Sequence, residues 1–223
     1  MSTGERLESI VGHIVDELTT KNRVRDATLQ RSRELIRFCA NSIRATHRRE
    51  YDLARELLAQ AKAAAARMRE DAAAYGDVYH AGYTQDALKE LVEAAVTLAV
   101  VTGQSLPEPD ELEVEYAAYL NGLGEAAGEF RRFALDSIRR GEIDRAEGLL
   151  ATMDEIYSQL VTVDFPDSLT GGLRRTTDMV RGVTERTRGD LTTAARQEKL
   201  QATLRRFERR LTQSQESADG IEC

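Results

Sequence analysis

Helix breakers are scarce in this chain, and their positions leave long segments free to form helix. Of its 223 residues only three are prolines, namely Pro107, Pro109 and Pro166, and tryptophan is absent. Alanine, leucine, arginine and glutamate dominate the composition, and all four favour helix. Extended runs that alternate valine, threonine and aromatic residues, as strands do, are missing. The sequence therefore predicts an all-α protein.

The breakers and the spacing of apolar residues predict about six long helices. These helices cover approximately residues 5–47, 52–75, 84–103, 110–140, 144–161 and 167–213, with Thr84 as a candidate N-cap. The segments GQSLPEPD and VDFPDS mark the clearest breaks, and TGG at 170–172 can delay the start of the last helix. No linker is long enough to separate two domains, so we expect one antiparallel bundle over residues 1–213, followed by a flexible tail at 214–223.

Cysteine content and hydropathy bear on the compartment. Cys39 lies in a helical pattern and Cys223 in a polar tail, so a disulfide framework is not expected and a reducing compartment is the simpler interpretation. The N-terminus MSTGERLESI has no apolar stretch typical of a signal peptide. The longest uncharged run, residues 94–107, has 14 residues and is too short to cross a bilayer. We therefore expect a soluble, cytoplasmic protein with no membrane contact.

Basic residues are concentrated in one segment of an acidic chain. The net charge is −7, but residues 21–49 carry nine basic side chains against Asp26 and Glu34 alone. That segment is +7 and the remainder of the chain is −14. Such a split is typical of an anion-binding face, or of a solvated helix whose arginines pair with acids on neighbouring helices. Charge alone leaves both interpretations open.

Two predicted helices each carry a pair of glutamates. Glu90 and Glu93 lie about one turn apart in ALKELVEAAV, and Glu125 and Glu129 lie one turn apart in GEAAGE. If these helices pack antiparallel, four carboxylates converge and repel one another unless a cation binds between them. Oxygen ligands favour magnesium, manganese or calcium over zinc, and the absence of a Glu-x-x-His motif argues against a di-iron centre.

The alternative is that these glutamates lie on solvated helix faces, where Lys89 and Arg132 can pair with them. Gly122, Gly124 and Gly128 stand among the acids of the fourth predicted helix, and each interior glycine costs about 1 kcal/mol relative to alanine. Close approach of another backbone or of a ligand is the usual reason for such glycines. The side chains expected to face the core on this helix are Tyr116, Leu120, Leu123, Ala127, Phe130, Ala134 and Ile138.

The histidines and the common catalytic motifs give no further site. His13, His47 and His80 are scattered without ligand spacing, so we expect each to be structural or exposed. A glycine-rich phosphate loop, a nucleophile elbow and a Cys-x-x-Cys pair are all missing. The four glutamates therefore remain the principal candidates for chemistry.

Three segments in order resemble the translin family, and in particular its Trax (translin-associated factor X) branch in the prokaryotic type. They are NRVRDATLQRSRELIRFCANSIRATHR at 22–48, ALKELVEAAV at 87–96 and YLNGLGEAAGEFRRFALDSIRRGE at 119–142. The first is similar to the family's basic first helix, the second to the Trax helix with two glutamates, and the third to its acidic Gly-Glu helix. The likeness spans about residues 20–205.

The resemblance implies an all-helical subunit of a closed, hollow octamer, whose Trax subunits cleave single-stranded RNA with a divalent metal. Glu90 and Glu93 match the family's paired glutamates, Glu129 matches a family glutamate, and Glu125 stands where the family has an aspartate. The extra methylene at Glu125 can shift the metal. The resemblance thus implies catalytic and metal-binding roles for all four glutamates.

On this basis the sequence predicts an endoribonuclease dependent on Mg²⁺, or on Mn²⁺, that assembles as a homo-octamer. The arginines expected to hold the nucleic-acid backbone are Arg23, Arg25, Arg31, Arg33, Arg37, Arg44 and Arg48. One alternative is a translin-like protein that binds single-stranded RNA or DNA without cutting it. Others are an all-α nucleotide pyrophosphohydrolase, which also presents Glu-x-x-Glu, and a structural bundle with solvated glutamates.

Overall fold

The fold of this protein is known from a computed structural model that describes the backbone of residues 2–219 and the side chains of residues 2–210. Every regular element in this part of the chain is an α-helix, as predicted. The helices are α1 (Thr3–His47), α2 (Tyr51–Ala72), α3 (Gly76–Tyr79), α4 (Gly82–Thr102), α5 (Pro109–Leu112), α6 (Tyr116–Arg139), α7 (Ile143–Leu160), α8 (Asp167–Thr170) and α9 (Leu173–Asp219). Six are long, and α3, α5 and α8 are single turns.

The six long helices correspond to the six predicted ones, but the predicted helix at 110–140 is divided: α5 ends at Leu112, Glu113 has a positive φ, and α6 begins only at Tyr116. Thr84 does not cap α4, because the helix begins earlier, after Ala81, and the Thr84 hydroxyl donates to the carbonyl of Val78 at 2.9 Å. Gly171 and Gly172 both have positive φ, so the TGG segment does delay the last helix. Of the predicted tail at 214–223, residues 214–219 continue the backbone of α9 and residues 220–223 lie outside the described part, so the flexible tail stays a prediction.

One helix pair differs from the expected arrangement, since α4 and α6 run parallel. The start of α6 lies beside the start of α4, where Glu115, Asn121 and Asp86 line the same cleft. The segment 103–115 makes this possible because it crosses back along α2, where Arg69 contacts Glu113. A short turn would have forced the antiparallel pairing that the sequence analysis assumed.

The buried core explains two of the three glycines in α6. A Cβ on Gly122 would lie 2.6 Å from the carbonyl oxygen of Lys89 in α4, and one on Gly124 would collide with Thr176 of α9. Both glycines therefore permit close helix packing, as predicted, whereas a Cβ on Gly128 would meet nothing within 4 Å. The close α4–α6 contact that Gly122 allows brings the glutamates of the two helices together.

The predicted core face of α6 is largely confirmed. Ala127, Phe130 and Ala134 are buried, and the partly buried Leu120, Leu123 and Ile138 pack against the same core. Tyr116 is the exception: it is the first residue of α6 and is 70% exposed, on the open cleft that Asp86 and Asn121 also line. Within the described residues, no helix combines the length and apolarity needed to cross a membrane.

Candidate metal centre and nucleic-acid interface

Three of the four candidate glutamates meet between α4 and α6. Glu90 and Glu93 project from one face of α4, and Glu125 projects towards them from α6. One carboxylate oxygen from each residue lies within 4.8 Å of the other two, and all three side chains are half-buried. Such spacing allows the three oxygens to contact one cation. The parallel pairing of the helices, rather than the antiparallel one, produces this cluster.

The carboxyls of the cluster are held in surroundings that disfavour their charge. Burial raises the pKa of Glu93 to about 8, and the nearby charges of Glu90, Glu125 and Glu129 act in the same direction. The pKa of Glu90 is also raised, first by burial and then by Glu125. Like charges at this distance resist joint ionisation. A positive charge beside these carboxyls would therefore favour their ionised forms.

Cys39 of α1 lies beneath the cluster. The side chain is fully buried in the α1 face that packs against α4. Burial raises the pKa of its thiol strongly, and the negative charges of Glu90 and Glu93 add to this effect. The thiol beside Glu90 and Glu93 is therefore neutral, and it neither adds to nor offsets their negative charge.

Lys89 provides the nearest positive charge. Its Nζ lies 2.8 Å from Oε1 of Glu125 and 3.8 Å from Oδ1 of Asp86. Burial is the largest single influence and lowers the pKa of Lys89, but the hydrogen bond to Glu125 and the negative charges of Glu125, Asp86 and Glu90 together outweigh it, so the pKa is raised overall. The pairing of Lys89 with a glutamate, which the sequence analysis set against a metal site, is therefore present in the structure.

Glu129 is separated from the other three acids by its contact with His47. The Nε2 atom of His47 contacts Oε2 of Glu129, and Arg132 lies 3.9 Å from the same oxygen. The imidazole is only 11% exposed and stacks on Phe133, with ring centroids 4.0 Å apart. His47 is thus a site residue that the sequence analysis treated as structural or exposed. Its position at the end of the basic segment was the one available signal.

Four of the candidate arginines form a stripe along α1. At about 100° per residue, Arg33, Arg37, Arg44 and Arg48 fall within roughly 60° of one another around the helix axis. All four side chains are exposed, and Arg48 forms an ion pair with Glu50 at 2.7 Å. Arg44 precedes His47 by one turn, so the stripe ends beside the contact between His47 and Glu129. We call these four residues the arginine stripe.

The other three candidates lie away from the arginine stripe or are paired. Arg31 forms an ion pair with Asp71 of α2, on the opposite side of α1, and Arg25 pairs with Asp26 at 3.0 Å. Arg23 is exposed nearer the N-terminus of α1. Among the described residues, ion pairs form with neither Arg33 nor Arg37. Both interpretations of the basic segment therefore hold in part. Some of its arginines pair with acidic side chains, and others, such as Arg33 and Arg37, are exposed and available to bind an anion.

Known proteins resemble this chain over most of its length. No protein-family model matches it. A structure of AfC3PO in complex with duplex RNA is 32% identical, covers 85% of this chain and 96% of that chain, and superposes with a TM-score of 0.69. The crystal structure of AfC3PO is also 32% identical, with coverages of 83% and 96% and a TM-score of 0.72.

More distant similarities agree. The crystal structure of apo-NeC3PO has a TM-score of 0.75 at 21% identity and covers 82% of this chain and 96% of that chain, which shows a shared fold. The protein MJ0175 of Methanocaldococcus jannaschii is 28% identical over 205 residues, or 91% of this chain and 90% of its own length. The similarity thus covers nearly whole chains on both sides.

Proposed function

Since this chain belongs to the translin and C3PO family, we propose that it binds RNA and cleaves it as a metal-dependent endoribonuclease of the Trax type. The observation that carries the proposal is the meeting of three half-buried carboxylates, from Glu90, Glu93 and Glu125, within 4.8 Å of one another. An acidic cluster with a raised pKa is costly to maintain for stability alone. We infer that the acidic cluster is retained, despite its cost to stability, because it serves the function of the protein.

The donor set fits a hard divalent cation. Three carboxylates offer oxygen ligands only, which suit Mg²⁺ or Mn²⁺, and the burial that raises the pKa of Glu93 leaves the cluster in need of positive charge. When bound, such an ion lowers the pKa of a water molecule and neutralises charge on a phosphate. Glu90, Glu93 and Glu125 would hold it. We assign Glu129 to the same site as a neighbour oriented by His47.

The remaining residues of the site would bind and place the RNA strand. The arginine stripe presents four exposed guanidinium groups along α1, and its last turn reaches the contact between His47 and Glu129. Phosphates bound along the stripe would therefore lead towards the acidic cluster. Aromatic residues make up only 5% of the chain, so base stacking is limited and we expect little sequence preference.

RNA is the substrate class that the comparisons favour, because one similar structure is a complex with duplex RNA. Single-stranded RNA remains our proposed substrate, and the experiment below compares its cleavage with that of duplex RNA. We further propose that the chain assembles as a closed homo-octamer. Both the acidic cluster and the arginine stripe belong to one chain, so one type of subunit supplies both.

The test is cleavage of end-labelled RNA, single-stranded and duplex, with Mg²⁺, with Mn²⁺ and with EDTA. We expect single-stranded RNA to be cut only when metal is present. Glu125→Gln and Glu93→Gln should lower the rate by at least about a hundredfold, the loss typical of removing a group that stabilises a transition state, while RNA binding is retained. Glu56→Gln, at an exposed position of α2, is the matched control. Metal-independent cutting, or full activity in both site variants, would refute the proposal.

A second candidate is a protein that holds RNA or single-stranded DNA without cutting it. The observation in its favour is that Lys89 already neutralises Glu125 at 2.8 Å, as a structural ion pair would. In that case both metals would leave the RNA intact, and Lys89→Met would destabilise the protein without any effect of metal on its melting temperature. Because the chain belongs to the translin and C3PO family, we no longer consider the alternative that it is a nucleotide pyrophosphohydrolase.

A further inference from the structure

Lys89 lies at the boundary between the acidic cluster and an open cleft. In the described part of the chain it is the one basic residue within ion-pair distance of the three clustered carboxylates, through its contact with Glu125 at 2.8 Å. Lys89 and Glu125 also line a cleft of about 1200 Å³ between the start of α4, the start of α6 and the turn before α9. A phosphate that enters this cleft therefore has direct access to the ammonium group.

The ammonium group of Lys89 competes with a metal ion for Glu125. A cation held by Glu90, Glu93 and Glu125 needs an oxygen from each of the three carboxylates, and Lys89 already contacts the last of them. Two positive charges beside one carboxylate also repel each other. If the role of Lys89 were only to neutralise the cluster, it would weaken the binding of the ion that the cluster suits.

A second acid holds Lys89 at the edge of the cleft. Asp86 lies one turn earlier on α4, its side chain is 69% exposed, and its Oδ1 is 3.8 Å from the Nζ of Lys89. The lysine side chain has a flexible four-carbon stem, so its ammonium can leave Glu125 and stay beside Asp86. Lys89 therefore has two positions available, one against the cluster and one towards the cleft.

The position of this ammonium is that of a second cation. Enzymes that cut phosphodiesters often use two metal ions about 3.5–4 Å apart, one at the attacking oxygen and one at the leaving oxygen. Among the described residues, the three clustered glutamates are the one group of acidic, histidine or cysteine side chains close enough to hold an ion. Because the Nζ of Lys89 lies 2.8 Å from one of these carboxylates, it can supply the second positive charge.

We propose that Lys89 is a catalytic residue, which leaves Glu125 when metal binds and donates to the phosphate oxygens of the RNA bond being cut. This inference rests on the proposed endoribonuclease activity. In the step that it assists, the oxygen of a water molecule bonds to phosphorus and the bond from phosphorus to the leaving sugar oxygen breaks. The water gives a proton to solvent, and the leaving oxygen takes one from solvent. The ammonium keeps its protons and stabilises the negative charge that develops.

The test separates metal binding from cutting, because Lys89 affects the two in opposite directions. Lys89→Met keeps the length of the side chain and removes its charge. We expect this variant to bind Mn²⁺ about 2- to 10-fold more tightly than the wild type, measured without RNA from the electron paramagnetic resonance of the free ion. Its kcat on single-stranded RNA at saturating Mg²⁺ should fall by at least about a hundredfold, with KM nearly unchanged.

Three further variants complete the experiment. Lys89→Gln carries the same expectation as Lys89→Met and serves if methionine prevents folding. Lys89→Arg keeps the charge, so it should bind Mn²⁺ as the wild type does and cut faster than Lys89→Met. Lys62→Met, at an exposed position of α2, is the matched control and should change neither quantity.

The combination of tighter metal binding and slower cutting is the result that supports a catalytic Lys89. Weaker Mn²⁺ binding with slower cutting would mean that Lys89 only supports the cluster. Tighter binding with undiminished cutting would mean that it only competes with the metal, and either result overturns the proposal. If the wild type cuts RNA and Lys89→Met cuts equally well, the role of Lys89 alone is refuted, whereas a wild type that does not cut refutes the endoribonuclease itself.

Discussion

Replacing Glu93 with glutamine should stabilise the metal-free protein at alkaline pH. In the folded chain burial raises the pKa of Glu93 to about 8, whereas the ordinary pKa of a glutamate side chain is 4.5. Between these values the unfolded chain has lost the proton and the folded chain keeps it. The folded state then binds more protons, so its stability falls as pH rises from about 4.5 to 8. Glutamine cannot ionise, and the variant should lose this dependence.

The size of the effect follows from the same pKa. One group changes the free energy of unfolding by at most about 1.4 kcal/mol per pH unit. Because Glu93 is partly exposed, solvent screens its neighbours, and we expect about 1–3 kcal/mol in total rather than the full linkage value. For a chain of this size each kcal/mol moves the melting temperature by about 2–4 °C. Above pH 8 the variant should therefore melt several degrees higher than the wild type.

Thermal unfolding followed by circular dichroism in EDTA at pH 5, 7 and 9 measures this difference. At pH 5 the two proteins should melt together, because Glu93 is then protonated. Adding Mg²⁺ at pH 8 should raise the melting temperature of the wild type, since a ligand that binds only the folded state stabilises it, and should have little effect on Glu93→Gln. Glu56→Gln is the control at each pH. Parallel melting curves at all pH values would refute our account of the cluster.

Two further predictions test the packing and the RNA surface. Gly122→Ala should destabilise the protein by about 1–3 kcal/mol, because the added Cβ would lie 2.6 Å from the carbonyl oxygen of Lys89. Gly128→Ala, where a Cβ meets nothing within 4 Å, should be neutral or stabilise the protein by up to about 1 kcal/mol. Urea unfolding compares the two variants, and equal effects would contradict the close contact between α4 and α6. Arg33→Ala with Arg37→Ala should weaken RNA binding and reduce the slope of log affinity against log salt by about 1.4, measured by fluorescence anisotropy, whereas an unchanged slope would exclude these residues from the interface.

Much of the fold follows from local sequence. Long stretches without proline, with apolar residues at helical spacing, gave all six long helices, since helix formation depends on residues within a few turns. Gly122, Gly124 and Gly128 were predicted to mark close packing; Gly122 and Gly124 do, whereas a Cβ on Gly128 would meet nothing within 4 Å. The order of the basic and acidic segments also indicated the family to which the structural comparisons assign the chain.

Helix direction and side-chain partners depend on residues far apart in the chain, so they were decided only by the tertiary structure. The sequence places Glu125 and Glu129 one turn apart and makes them look equivalent. In the fold, however, the crossing segment 103–115 sets α6 parallel to α4, which brings Glu125 to Glu90 and Glu93 and leaves Glu129 beside His47. These partners are set by which helices touch and in which direction they run.

The arginines of α1 and the exposed N-terminal part of the same helix also show which properties depend on sequence and which on tertiary packing. Arg31 and Arg33 are two residues apart, and only the position of α2 determines that one binds Asp71 while the other faces solvent. The apolar spacing of residues 7–18 predicts a helix with one apolar face. That this face is exposed to solvent follows only from the tertiary structure, in which no neighbouring described helix covers it. Sequence determined which residues could form a core or a site, because that depends on local spacing; the packing of distant helices decided which of them did.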